Sequence, residues 1–332
     1  MIFFRFLFFY SCIILAQDIQ SLERIKSVGF GSCNRTDLDP KIWDTIADQS
    51  LDVWVWLGDI VYTDNERMDD LASKYAIQKS LPAYKKLMNE AKIFGVWDDH
   101  DFGTNDGGVK FKEKRVSRDL LFDFLDLPKN HPARSRSGAY QSYCFGKENQ
   151  KVCLYLLDVR YFKEEYDIDP APNQRYKKNN GNLLGEDQWK WLERELANNN
   201  ARVNLFGGGI QLLSSDHPYE KWSNFPKAQQ RFFNLLINHK IKNPIYLSGD
   251  RHFAEVSRCE IRKNYWLYDA TSSGLTHSYE NLKDEYNPYR ISHLITSRNF
   301  GRIEWNWKKK EIAIQIYSIT GKEEFKKIIP IL

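Results

Sequence analysis

Cys33, Asp59, Tyr62, Asp98, Asp99, His100, Asn105, Asp158, Arg160, Asp250 and His252 share one habit: each stands in a polar segment that follows a short apolar run. Those segments read GSCN, GDIVY, WDDHDFGTND, LDVR, GGGIQ and SGDRH. Taken singly, each has an ordinary explanation. Gly-Asp after a strand is common turn chemistry, an isolated cysteine such as Cys33 is more often a buried apolar residue than a ligand, and one His252 beside an acid says little. The DDHD run at 98–101 is harder to dismiss, because four adjacent ionisable groups leaving a buried strand are costly without partners or a metal. Ligands of open α/β sheets gather outside the carboxyl ends of the strands, so the clusters are expected to converge on one metal site.

The donor types indicate how such a site works. A phenol titrates near pH 10, so Tyr62 ligates as phenolate at neutral pH only beside a strongly polarising ion, and Cys33 ligates as thiolate. Carboxylates, an amide and imidazoles complete a set larger than one ion needs. Two ions about 3.5 to 4 Å apart, with Asp59 as the bridge, match the arrangement used for phosphoryl transfer, in which the metal polarises phosphoryl oxygens and generates the hydroxide.

Strands are expected at 27–31, 52–57, 92–97, 152–157, 203–206, 244–247 and 265–270, where four to six nearly continuous apolar residues suit a strand covered on both faces. Residues 140–145 pair with 152–157 across the polar loop GKENQ, which sets Cys144 facing Cys153 as either a disulfide or two core thiols. Helices fit the stretch opened by Asp39 as N-cap and Pro40 as first residue, then 67–90 (bent or divided at Pro82), 114–127, 186–198 and 227–239. A closing hairpin is read at 301–307 and 311–317. The alternation predicts an α/β layered fold with an antiparallel finish, in a single domain over 25–320.

Of the 332 residues, 42% are apolar and 28% charged, with a net charge of only +4, which argues against a nucleic-acid binder even though WKKK at 307–310 and Lys326-Lys327 are locally basic. Residues 1–16 carry one early cation, Arg5, an apolar core over 6–15 and the small Ala16. A membrane helix needs about 20 apolar residues, so a cleaved signal is expected, leaving an exported protein without a stable membrane anchor.

The succession FGSCNR, WLGDIVY, VWDDHDFGTNDGG, LYLLDVRYF, LLGEDQWKWLERE, GGGIQ, PIYLSGDRHFAEV and TSSGLTHS resembles the alkaline phosphatase D (PhoD-like) family of calcineurin-like metallophosphoesterases, in the family order over 28–276. The resemblance implies a four-layer α/β/β/α sandwich and hydrolysis of phosphate esters at a ferric ion beside calcium, with other divalent metals left open. It implies Cys33, Asp59, Tyr62 and Asp250 as ligands of the ferric ion and Asp59 as bridge to calcium. Asn105 and His252 are further contacts by the same comparison, although histidine is a poor calcium ligand. Asp99 and His100 occupy the places of the Asn-His pair that related phosphoesterases use for the second metal and the phosphate. Asp98, Asp99 and Asn105 stay open as alternatives for the second-metal ligand.

Arg160 and His100 are expected to neutralise charge in the transition state, with His100 or His252 protonating the leaving oxygen. Arg160 also has a plain reading as partner of Asp158, and His131, His217, His239, His277 and His293 take surface or packing roles by default. Two departures from the family pattern are expected: bacterial members carry an additional N-terminal domain, whereas the mature chain begins almost directly at the first sheet strand, and nothing from Leu282 onward matches a closing element. A phosphodiesterase, including a phospholipase-D-like activity, uses the same metals. An inactive carbohydrate-binding module fits 10 Trp and 18 Tyr, but Trp54, Trp56 and Trp97 lie in apolar strands and Trp189 and Trp191 in a helix. A glycosidase built on Asp98 and Asp99 is disfavoured because adjacent residues on an extended chain point to opposite faces. Oligomeric state is not legible.

Overall fold

A computed structural model describes residues 20–21, 24–63, 66–171 and 175–332. The expected signal at 1–16 lies outside the described residues. Thirteen strands occur among them: β1 Gln20–Ser21, β2 Ser27–Gly31, β3 Val53–Leu57, β4 Lys92–Val96, β5 Gln141–Phe145, β6 Val152–Leu156, β7 Val203–Gly208, β8 Pro244–Ser248, β9 Ala254–Arg262, β10 Tyr265–Ser272, β11 Asn299–Asn306, β12 Glu311–Ser318 and β13 Glu323–Pro330. They form two sheets, ordered β1-β5-β6-β7-β8-β10-β9 and β13-β12-β11-β2-β3-β4. The helices are α1 Ile42–Ala47, α2 Met68–Ser80, α3 Pro82–Glu90, α4 Asp99–Phe102, α5 Lys114–Phe124, α6 Glu186–Ala197 and α7 Pro226–Asn238.

Alternation along the strands builds the layers. In β6, Val152, Leu154 and Leu156 join the core between the sheets, while Cys153 and Tyr155 join a second core with Trp189, Leu192, Phe232 and Leu236 of α6 and α7. In β3, Trp54 and Trp56 meet Trp43 of α1 at ring distances of 5.4 and 4.9 Å, and Trp56 meets Phe124 of α5 at 6.2 Å. Leu57 and Val55 instead approach Gly207 on the opposing sheet. Helices thus cover the outer face of each of two stacked sheets, which is the α/β/β/α sandwich.

The parallel pairs β2–β3, β3–β4, β6–β7, β7–β8 and β8–β10 bring their carboxyl ends to one edge of the sandwich. The chain divides at Pro82, as the sequence suggests, because proline is accepted in a first turn and breaks a helix interior. The start of α1 differs from expectation. The helix begins at Ile42 with Lys41 as N-cap, while Asp39 accepts from the Lys41 amide at 3.1 Å and lends its carbonyl to Arg298 at 2.7 Å, so Asp39 and Pro40 form a turn ahead of the helix. The segment after Leu282 does close the fold: β11 pairs with β2, and β13 extends that sheet past residue 320. Cys144 and Cys153 are directly opposite on β5 and β6 and form a disulfide.

Candidate metal centre

The turn after β3 is built from backbone conformations that side chains rarely adopt. Gly58 has φ +84°, and a Cβ there would overlap Asp98. Asp59 follows with φ 49°, and Cys33, Asp250 and His252 after β2 and β8 also lie at positive φ, 59°, 72° and 56°. Four residues expected to bind metal therefore hold left-handed backbone, and non-glycine strain of this kind collects at functional sites. The buried Asp101 pins the turn. Its carboxylate accepts from the amides of Asp59 at 3.0 Å, Ile60 at 3.3 Å and Asp98 at 2.8 Å, and from the Tyr75 hydroxyl at 3.4 Å.

Asp59 then faces two ways. Its Oδ2 receives the Tyr62 hydroxyl at 3.2 Å and the Cys33 thiol at 3.4 Å. Its Oδ1 takes the His100 amide at 3.4 Å, and Asp59, Asp99 and His100 offer ligand atoms within 4.8 Å of one another. Asp99 is fixed by amides of His100 at 2.9 Å and Asp106 at 2.8 Å. The Tyr62 ring stacks on His100 with centroids 4.0 Å apart. On the far side, Asp250 Oδ2 and His252 Nδ1 are shielded from solvent and find no hydrogen-bond partner among the described residues.

The electrostatics suit a cation site. Burial pushes the Cys33 thiol up to about 11, and burial reinforced by Cys33 lifts Asp59 well above the carboxylate range. Burial and then Asp59 raise Tyr62, and burial carries Asp250 to about 7. Burial thus favours the protonated forms of Cys33, Asp59 and Tyr62, and a cation bound among them would displace those protons, which is how metal binding couples to proton release. His252 moves the other way, down to about 3, through burial and the neighbouring His277. Its imidazole stands neutral with a lone pair available, the state a ligand requires. Thiol, phenol, shared carboxylate and orphaned carboxylate and imidazole atoms together fit a pair of ions.

Arg160 departs from its expected role toward a phosphate. Its side chain is fully buried, donates from Nε to Asp98 Oδ1 at 2.6 Å and grips Glu220 with both terminal nitrogens at 2.7 and 2.6 Å. With its fork spent on two carboxylates it positions Asp98, and Asp158 receives only its backbone amide, at 2.8 Å. Asp98 caps α4, and its Oδ2 lacks a partner among the described residues. Asn105 lies exposed in the turn after α4, whereas the next residue, Asp106, joins Asp99 and Glu220 in a second acidic group.

Sequence reasoning missed Glu220, Asp106 and His277. Glu220 sits in the HPYEKW loop, remote from any strand end. His277, set aside as a packing residue, has its ring 5.2 Å from Tyr62 and 4.5 Å from His252. Its place in TSSGLTHS, within the matched motifs, was the available signal.

The sequon at 34–36 adjoins Cys33, and Asn34 is buried. Its amide donates to Ile60 O at 2.9 Å and Gln78 Oε1 at 2.8 Å and accepts from Trp43 Nε1 at 3.0 Å. Glycosylation would break all three bonds, so peptide mapping of protein secreted from a glycosylating host is expected to find Asn34 unmodified. A glycan there in folded protein would contradict this packing.

The family model described as PhoD-like phosphatase matches residues 29–280. Alkaline phosphatase D of Bacillus subtilis (strain 168) is 21% identical over 258 residues, covering 65% of this chain and 44% of that protein, so the chain spans less than half the length of this curated relative. Among solved structures, PhoD superposes with a TM-score of 0.71 at 17% identity over 95% of this chain and 69% of that one. GAP50, the anchor in the inner membrane complex of Plasmodium, superposes at 0.58 with 15% identity over 93% and 90%. Both likenesses concern the fold, and the family match extends over the strand ends that carry the metal-type donors. The chain belongs to the PhoD-like phosphatase family.

Proposed function

We propose that this protein is an exported phosphatase that hydrolyses phosphate monoesters at a two-metal site. The observation that supports the reading best is the division of Asp59, one oxygen toward Cys33 and Tyr62 and the other toward Asp99 and His100. Cys33, Tyr62, Asp59 and Asp250 would hold a ferric ion. Asp59, Asp99 and His252 would hold calcium or another divalent ion; Asp98 stays an alternative to Asp99, and Asn105 would have to reach the site from its exposed turn after α4. When bound, the ions supply Lewis-acid polarisation of the phosphoryl oxygens and an activated water at neutral pH.

The chain's own residues set the rest. Asp101 and Gly58 hold Asp59 at its turn. Arg160 fixes Asp98 from behind and leaves charge neutralisation at the substrate to the ions. His100 is stacked beside the donor set and delivers a proton to the leaving oxygen, while His252, held neutral, serves as ligand. Export rests on the apolar stretch at 6–15 and on the disulfide, which suits an oxidising compartment.

Turnover of p-nitrophenyl phosphate against bis-p-nitrophenyl phosphate tests the substrate class. The monoester is expected to give the higher kcat/KM, by about tenfold or more, a difference of ~1.4 kcal/mol in transition-state stabilisation. A clear preference for the diester would replace the monoesterase reading with the phosphodiesterase one.

A further inference from the structure

The lysines singled out in the sequence play no part in the metal centre. They lie at the opposite end of the sandwich. The amino ends of the parallel strands, the β11–β12 hairpin and the chain's last residues meet there, and three hollows of about 290, 270 and 480 Å³ adjoin one another. Lys240, Lys242, Arg262 and Lys263 surround the first. Arg202 and Lys310 line the second, and Lys26, Lys309 and Lys326 the third. Continuity is direct: Trp307 lines both the second and third hollows, and Ile331 of the second is followed by Leu332 of the first. Asn243 ties them further, donating to Arg202 O at 2.6 Å and accepting from the Leu332 amide at 3.4 Å.

Lys240, Lys242, Arg262, Lys263, Lys309 and Lys310 have no carboxylate within ion-pair distance among the described residues, whereas Lys326 pairs with Glu323 at 3.6 Å. The hollows also hold acid, Glu304 and Glu311, in the third alone. In a chain whose net charge is only +4, such a concentration of cations makes this end locally basic and able to attract an anionic surface. Apolar groups are interleaved with the cations. Leu332 is 64% and Ile328 50% exposed, and Trp307 is partly buried between two hollows. Nucleic-acid grooves favour arginine forks and stacking platforms. Lysine point charges mixed with exposed aliphatic groups and a tryptophan suit the headgroup region of an anionic bilayer.

We propose that this end of the sandwich is a docking surface for anionic phospholipid membranes, which seats the protein with its metal centre facing away from the bilayer. The soluble phase, rather than the supporting lipid, then supplies the substrate, and this orientation is unsuited to cleavage of the membrane's own lipids. The proposal does not depend on which phosphate ester is cleaved.

Co-sedimentation of the full chain with vesicles tests it, using pure phosphatidylcholine and phosphatidylcholine containing 30% phosphatidylserine. Each lysine near an anionic surface contributes roughly fivefold to partitioning, so phosphatidylserine is expected to raise binding by at least about tenfold at 0.1 M salt. The gain is expected to vanish at 0.5 M salt and in Lys240→Glu/Lys242→Glu/Lys263→Glu, while turnover of p-nitrophenyl phosphate by that variant stays at the wild-type level. The three side chains are exposed, and retained turnover shows the variant folded. Equal binding to both vesicles, or a phosphatidylserine gain that survives in the triple variant, would overturn the proposal. Binding to single-stranded RNA at 0.1 M salt without binding to phosphatidylserine vesicles would overturn it in favour of a nucleic-acid surface.

Discussion

Asp59→Asn is expected to lower kcat/KM for p-nitrophenyl phosphate by at least about 10²–10³-fold, the loss seen when one preorganised electrostatic contact is removed from a reaction site. The substitution keeps the side chain's volume, and Asp101 still receives the amides of residues 59 and 60, so the turn has its anchors. The amide loses the anionic oxygen that faces Cys33 and Tyr62 on one side and the Asp99–His100 group on the other. Burial and the adjoining Cys33 already disfavour the ionised Asp59 when no cation is present, so the apo variant should be no less stable than apo wild type. Thermal unfolding after chelation checks that expectation. A variant with full activity would show that Asp59 is only turn chemistry.

The largest effect on stability is expected from Arg160→Met. The guanidinium, Asp98 and Glu220 are all buried, with contacts of 2.6 Å to each carboxylate. Glu220 is held below its ordinary value in spite of burial because Arg160 and then Lys163 face it. Removing one partner of such a group leaves uncompensated buried charge at a cost of about 3–5 kcal/mol, or a fall of roughly 4–7 °C in Tm for a chain of this size. Lysine is no substitute, since the bidentate grip on Glu220 needs the planar fork. Combining Arg160→Met with Asp98→Asn and Glu220→Gln is expected to recover part of the loss, because the stranded charges go with it. Urea unfolding of the three proteins decides the matter. A single variant as stable as wild type would mean that the triad carries no net charge burden.

What the sequence revealed follows from where local pattern and tertiary structure coincide. The parallel strands read clearly because they are covered on both faces and appear as apolar runs, and the metal-type donors read clearly because each follows such a run directly. Strands β9 and β13 escaped notice for the converse reason. Both lie at sheet edges, and AEVSRCEIR and EEFKKIIP place charged residues where one face meets solvent, a device that also blunts exposed edges. Arg160 could be placed near the site but its direction could not, since that is decided by Glu220, 60 residues away in a loop with no periodic signal. His277 was similarly hidden, because only the crossing of the loop after β10 over Tyr62 brings it to the centre. The left-handed φ of Cys33, Asp59, Asp250 and His252 is a property of the folded backbone that those residue types tolerate without announcing.

A thiolate, a phenolate and two carboxylates meeting at one ion are the core of the proposed centre. Elemental analysis of the purified chain, wild type beside Tyr62→Phe, measures this directly, with p-nitrophenyl phosphate turnover recorded on the same samples. The wild type is expected to carry about one iron per chain, and Tyr62→Phe, which removes only the phenolic oxygen 3.2 Å from Asp59, to lose most of that iron and its activity together, since loss of a group that orients or binds a metal costs at least about 10- to 100-fold in affinity. Iron retained at the wild-type level with full activity in Tyr62→Phe, or an active wild type free of transition metal, would contradict the centre as described.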